Sequence, residues 1–202
     1  MDWWWVAVSN LRILAFAGSV REQSFNVRLL AVATDIARET ACQIDLVHLR
    51  DFPMPIYDRN FESANGQPSQ AVELKARFLQ CDALLLACPE YNASITPLLK
   101  NTIDWVSRPR PGEVNAFKLK PVGLLSASGG ALGGLRGLMT VRQVLTQLGS
   151  LVMPTQFALG NAESAFDENG RLVNAAQHGL LKDAVAELVM VAGALRTAQL
   201  QK

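Results

Sequence analysis

The sequence predicts an α/β fold, a doubly wound five-stranded parallel sheet with helices on both faces. Three observations predict it. Short unbroken apolar runs, ILAFA at 13–17 and ALLLAC at 83–88, read as strands buried on both faces. Segments of helical period follow them, and the strand-then-helix order recurs five times along the chain. That order calls for a parallel sheet with crossovers on both sides, and the lack of a P-loop motif removes the nucleoside-triphosphatase version of it.

The first strand runs directly into a small, hydroxyl-rich loop opened by Gly18, and then into a helix marked by Leu29, Leu30, Ala33, Ile36 and Ala37. The loop therefore lies at a helix N-terminus, where free amides and the helix dipole favour an anion. Ser19, Ser24 and Asn26 add side-chain donors and Arg21 adds charge. Because Gly18 alone lets backbone approach closely, the site suits one terminal phosphate better than a pyrophosphate. This helix is expected to end near residues 39–41. A second strand is expected over 44–49, where His48 sits between apolar neighbours with no companion at ligand spacing and reads as structural. Pro53, Pro55, Gly66 and Pro68 keep 50–68 from forming a long regular element, which leaves a loop of functional length.

Ser69 is expected to cap a helix carrying Val72, Leu74, Phe78 and Leu79. The buried strand 83–88 follows. Residues 90–95 then form a loop at the carboxyl end of a central strand, directly before a helix that accepts Pro97 in its first turn and repeats Leu98, Leu99, Ile103 and Val106. Open α/β sheets bind ligands in that place. Pro89 restrains Cys88, and Asn92 and Ser94 can satisfy turn amides, so the loop is stiff enough to present backbone groups to a planar ring. Tyr91 either borders that ring or is an ordinary surface tyrosine. Arg108 and Arg110 read as solvated loop charges in preference to ligands of a nicotinamide cofactor's extra phosphate.

A strand at 122–125 feeds SASGGALGGLRG, residues 126–137. Its glycines lack GxGxxG spacing and a suitable acidic residue downstream, so side-chain-free backbone against a second edge of a flat ligand is preferred to a dinucleotide turn. A helix through Val141, Val144, Leu145 and Leu148 closes at Gly149. The last strand region covers 151–159 and is interrupted by Pro154; DENG at 167–170 is a turn. Leu180, Leu181, Ala184, Val185, Leu188, Val189 and Ala192 build the final helix, with His178 near its start structural or solvent-facing.

The net charge of +1, from 19 basic and 18 acidic residues, offers no bulk footprint for nucleic acid or an anionic membrane, which points to a small-molecule partner. With 202 residues, half of them apolar, and no linker, residues 11–202 are expected to form one domain. Residues 1–10, with three consecutive tryptophans, are an extension of unassigned role. Cys42, Cys81 and Cys88 are an odd number without a CxxC pair, which argues against a disulfide framework and a zinc site; Cys81 and Cys88 read as packing. No metal is expected. No apolar run approaches the roughly 20 residues of a membrane span, and the start lacks a basic region and cleavage site, so the expectation is a cytoplasmic protein.

Three motifs, GSVREQSFN at 18–26, PEYNASITPLLKNTIDW at 89–105 and SASGGALGGLRG at 126–137, resemble those of the NADPH-dependent FMN reductases of flavodoxin-like fold, which include bacterial quinone and chromate reductases. The resemblance implies that Ser19, Arg21, Ser24, Phe25 and Asn26 hold the FMN phosphate. It implies that Pro89, Glu90, Tyr91, Asn92 and Ile95 surround the isoalloxazine ring, and that Ser126, Ser128, Gly129 and Gly130 line its far side. Family members often carry glycine or tyrosine where this chain has Ala93, and SPG where it has Ser128, Gly129 and Gly130.

The activity implied is an NAD(P)H-dependent FMN or quinone reductase. Flavin N5 carries the hydride to a quinone-like, flavin, azo or chromate acceptor, with no obligatory side-chain acid or base. A homodimer or homotetramer is expected by the same resemblance, with the last helix and the 50–68 segment as candidate interface pieces. Two other classes stand beside this one. An electron-transfer flavodoxin is disfavoured by the near-neutral charge, and a non-catalytic flavin-binding sensor would be separated from a reductase by turnover.

Overall fold

Every residue of β3 (Ala83–Ala87) and of β6 (Pro121–Ala127) is buried, which requires cover on both faces of the sheet. The computed structural model, which describes residues 11–40, 42–109 and 112–200, supplies that cover. The tryptophan-rich start, Ala41 and Arg110 lie outside the described residues.

The chain runs β1 (Arg12–Ala17), α1 (Phe25–Arg38), β2 (Gln43–Leu46), α2 (Arg59–Asn65), α3 (Ser69–Gln80), β3, a hairpin of β4 (Glu90–Tyr91) and β5 (Ser94–Ile95), α4 (Pro97–Val106), β6, α5 (Leu135–Gln147), β7 (Leu151–Leu159) and α6 (Ala175–Leu200). The large sheet has the order β2-β1-β3-β6-β7, parallel throughout. Counting its strands alone, that is 2-1-3-4-5, the flavodoxin-like arrangement, whose order reverses at β1 and β3.

Alternate residues of each strand feed opposite halves of the core. Ile13, Ala15, Leu85 and Leu125 pack with Leu29 and Ala33 of α1 and Val185 and Leu188 of α6. Leu14, Phe16, Leu86 and Leu124 pack with Phe78 of α3, Leu99 of α4 and Leu138 of α5. The strand period of two thus decides which helix each residue meets.

Several boundaries differ from the sequence expectation. The second strand stops at Leu46; exposed His48 precedes a single 3-10 turn at Leu49–Asp51. The 50–68 segment contains α2, two turns long, whose cap is Asp58 accepting from the Phe61 amide at 2.7 Å. The segment is also pinned to α4, because Trp105 Nε1 and Asn101 Nδ2 both donate to the Pro55 carbonyl, at 2.7 and 2.9 Å. Ser69 is the first residue of α3 and makes no cap hydrogen bond. Leu79 and Leu180 face solvent, 36% and 59% exposed.

Pro154 interrupts the ladder as its missing donor demands. The β6–β7 register jumps from Val122 opposite Val152 to Leu124 opposite Gln156, on an edge strand that tolerates the irregularity. Arg142 of α5 donates to the freed carbonyls of Val152 and Met153. Gly149, at φ +91°, ends α5 as expected.

Candidate functional site

Three loops leave the carboxyl ends of β1, β3 and β6, adjacent strands of the sheet, and cross-links between them make one rim. Thr96, buried at the N-cap of α4, donates its hydroxyl to the Gly18 carbonyl at 2.8 Å and accepts from the Leu99 amide. Asn26, buried in the first turn of α1, donates Nδ2 to the Ala127 carbonyl at 2.8 Å and accepts the Ala127 amide on Oδ1 at 3.0 Å. Glu90 reaches from the hairpin to α5, accepting from the Gly137 amide at 3.0 Å and from Arg136 Nε at 2.9 Å. Each link joins a different pair of loops.

These contacts give several residues expected at the site partners within the protein. Gly18 is needed for protein packing: a Cβ there would meet Leu99 Cβ at 2.9 Å and Pro89 Cδ at 3.3 Å. Both functional atoms of the Asn26 amide are engaged by Ala127, so it braces the first loop. Ser126 is fully buried and its hydroxyl donates to the Gly133 carbonyl, holding the third loop. Burial acts to raise the Glu90 carboxyl, but the Gly137 amide and the Arg136 guanidinium outweigh it and hold the group below the usual carboxylate range.

The remaining expected residues differ in exposure: Ser24 and Pro89 are buried, whereas Arg21, Tyr91, Asn92, Gly129 and Gly130 are exposed. Ser24 occupies the N-cap of α1 with extended backbone and no side-chain cap hydrogen bond. The Arg21 amide donates to Ser19 Oγ, and the Arg21 guanidinium donates to the Gln23 carbonyl at 2.9 Å over the Phe25 ring. Tyr91 is 57% exposed, and Asn92 and Ala93 form the exposed turn of the hairpin, at φ +49° and +64°. Two consecutive positive values are the signature of a type I′ turn, and asparagine accepts that conformation far better than alanine. Pro89 is buried and Ile95 is half-buried against the core.

The glycines of 126–137 divide into two kinds. A Cβ on Gly133 would meet the Leu159 carbonyl carbon at 2.6 Å, and one on Gly134 would collide with Ser126 Oγ. Gly137 lies under the hairpin, 3.3 Å from the Ser94 carbonyl oxygen by the same test. At Gly130, by contrast, the nearest atom would be Ser128 Oγ at 3.7 Å, and at Gly129 only the Glu163 carboxylate comes close. The Gly130 amide donates to Ser128 Oγ at 3.2 Å. The third loop is further knitted to the chain after β7 by Ser128 N donating to the Leu159 carbonyl and Ala162 N to the Ser128 carbonyl.

Sequence reasoning missed Thr96 and Arg136. For Thr96 a signal existed, a capping residue immediately before Pro97 at the first helical position. For Arg136 none did, since the partner lies 46 residues away. The arginine at 108 is not a solvated charge: Nη1 donates to Tyr57 Oη at 3.0 Å and the guanidinium lies 4.9 Å from that ring. The thiols are buried and free, and burial raises all three, Cys81 to about 11, so they are neutral at neutral pH.

Residues 11–164 match the family model described as NADPH-dependent FMN reductase. The chain belongs to the NADPH-dependent FMN reductase family. Among relatives of this oxidoreductase family, the NADPH:quinone oxidoreductase of Arabidopsis thaliana is 30% identical over 181 residues, which cover 88% of this chain and 90% of that protein. An NAD(P)H-dependent FMN reductase of Pseudomonas aeruginosa is 32% identical, with 93% and 98% covered. The solved structure of FerB, a flavoenzyme NAD(P)H:(acceptor) oxidoreductase from Paracoccus denitrificans, superposes with a TM-score of 0.77 at 28% identity, covering 90% of this chain and 97% of that one. Among the described residues no helix is long and apolar enough to cross a membrane.

Proposed function

We propose that this chain is a cytoplasmic NAD(P)H-dependent reductase that binds FMN across its three-loop rim and reduces a quinone-like or other small acceptor such as a flavin, azo compound or chromate. The observation that carries this reading is the reciprocal cross-linking of the three loops, which holds a helix N-terminus, a stiff hairpin and a side-chain-free turn along one sheet edge. The fit rests on the open space at Gly130 and on the Arg21 guanidinium, which is held by a carbonyl and a ring and has no carboxylate partner among the described residues.

Ser19, Arg21, Ser24 and Phe25, with the first amides of α1, hold the phosphate. Pro89, Tyr91, Asn92 and Ile95 border one side of the ring, and Ser128, Gly129 and Gly130 the other. Asn26, Glu90 and Ser126 act by positioning those groups. FMN held there would supply two-electron redox chemistry between NAD(P)H and the acceptor. The protein's part would be orientation and electrostatics, with the amides near Asn92 and Gly129 placed to stabilise negative charge on a bound flavin.

One domain spanning 11–202 agrees with α6 sharing a core cluster with β1 and α1. A homodimer or homotetramer is part of the same proposal. Purified protein should be yellow, with flavin absorbance, and anaerobic NADPH should bleach it. Colourless protein that refuses added FMN, or bound flavin that stays oxidised under NADPH, would defeat the proposal.

A further inference from the structure

Along the outer face of α1 runs a groove of about 730 Å³, closed on its other side by residues 169–172 after β7. None of the residues lining it belongs to the three loops of the rim. Val32, Ile36 and Leu172 make an apolar strip in it, half-buried at Val32 and buried at the other two. The edges are charged but balanced, since Arg28 and Arg171 stand with Asp35 and Glu39. Such a groove selects neither an anion nor a cation. It suits a neutral, apolar ligand, and one with aromatic rings best, because Arg28 already lies 4.4 Å from the Phe166 ring centre.

The chain carries a segment of that chemistry within reach. Residues 3–8, WWWVAV, are uncharged and hold three of the four tryptophans. Leu11, where the described chain begins, lies beside the end of α1: its carbonyl accepts from the Gln43 amide at 2.7 Å, and its side chain shares a core cluster with Ile36 and Ala37. From Gln43 back to Glu39 is at most about 14 Å, and the six residues from Leu11 back to Trp5 extend to about 20 Å. We propose that this groove is the docking site of the chain's own tryptophan-rich start, with Trp3, Trp4 and Trp5 seated along Val32, Ile36 and Leu172. An indole asks for apolar cover, a cation over its face and an acceptor for its N–H. The strip supplies the first, Arg28 and Arg171 the second, and the Asp35 and Glu39 carboxylates the third. Tethering holds the segment at roughly millimolar effective concentration, which favours it over a free ligand of the same kind. The proposal does not rest on the FMN reading.

The test uses the full chain. In solution NMR, nuclear Overhauser contacts are expected from the indole protons of Trp3, Trp4 and Trp5 to the methyls of Val32, Ile36 and Leu172. Acrylamide quenching of tryptophan fluorescence gives a second readout, because Trp105 is fully buried in the core and the other three tryptophans carry any change. Val32→Glu places a charge on the apolar strip and should raise the quenching constant about threefold, as the indoles lose their cover to water. Absence of all the Overhauser contacts, or equal quenching in wild type and a folded Val32→Glu, would overturn the proposal. Contacts found only between differently labelled chains in a mixed sample would place the segment on a second copy, and overturn it likewise. If Val32→Glu does not fold, the Overhauser contacts decide alone.

Discussion

The side-chain amide of Asn26 and the main chain of Ala127 exchange a reciprocal pair of hydrogen bonds across 101 residues of sequence, joining the first turn of α1 to the end of β6. Both partners are buried. Replacing Asn26 by alanine leaves a buried N–H and a buried C=O without partners, at about 1–3 kcal/mol for each such group. The Asn26→Ala protein should therefore lose about 2–6 kcal/mol of unfolding free energy in a urea titration, on the same principle. A midpoint indistinguishable from wild type would show that the bracing role is wrong.

The hairpin turn stores strain at one residue. Alanine at φ +64° pays the left-handed penalty of about 1–2 kcal/mol that glycine escapes. Ala93→Gly gives back part of this through its looser unfolded chain, so the expected gain is only about 0.5–1 kcal/mol. A small rise in Tm should result, and a fall in Tm would mean that the turn is held in another conformation. Asn92, at φ +49°, should not benefit from the same change to the same degree, because asparagine already tolerates the region.

The elements buried on both faces were legible because their signal is local. Apolar runs at 13–17 and 83–88 have no other use than a two-sided strand, and they carried the sheet, its parallel sense and the rim. The loops were legible as places but not as networks. Nothing in the composition of 18–26 says that Asn26 faces Ala127, and nothing in the glycine count of 126–137 separates Gly130 from Gly134. Those distinctions depend on contacts between segments tens of residues apart, which no local period records. The α2 helix was missed for the opposite reason: its cap at Asp58 and its closing Gly66 are present, but the prolines on either side dominated the reading.

Glu90 makes part of the stability depend on pH. Its native pKa lies below the ordinary value, so as pH falls the unfolded chain takes up the proton first. The contribution of Glu90 is complete above the unfolded pKa and declines as pH drops through the native one. Urea titrations at descending pH from 7 to 3 should show a steeper acid loss in wild type than in Glu90→Gln, which has no carboxylate to titrate. Parallel curves for the two proteins would mean that the Arg136 and Gly137 contacts do not form in solution.

Two alanine substitutions, four residues apart, separate ligand space from packing space in the third loop. Gly134 has φ +87° and faces Ser126 Oγ, so Gly134→Ala adds a left-handed penalty to a collision with a buried hydroxyl that itself holds Gly133. It should cost at least about 2 kcal/mol, the sum of strain and overpacking. Gly130→Ala has no such neighbour: its φ is not positive and the nearest atom to a new Cβ is 3.7 Å away. That variant should unfold within about 0.5 kcal/mol of wild type, as surface changes usually do. If side-chain-free backbone at 130 lies against the flavin, the same variant should nonetheless release FMN more readily, seen as a raised Kd in a fluorescence titration. Unchanged FMN affinity in a stable Gly130→Ala protein would remove this loop from the flavin site while leaving its structural account intact.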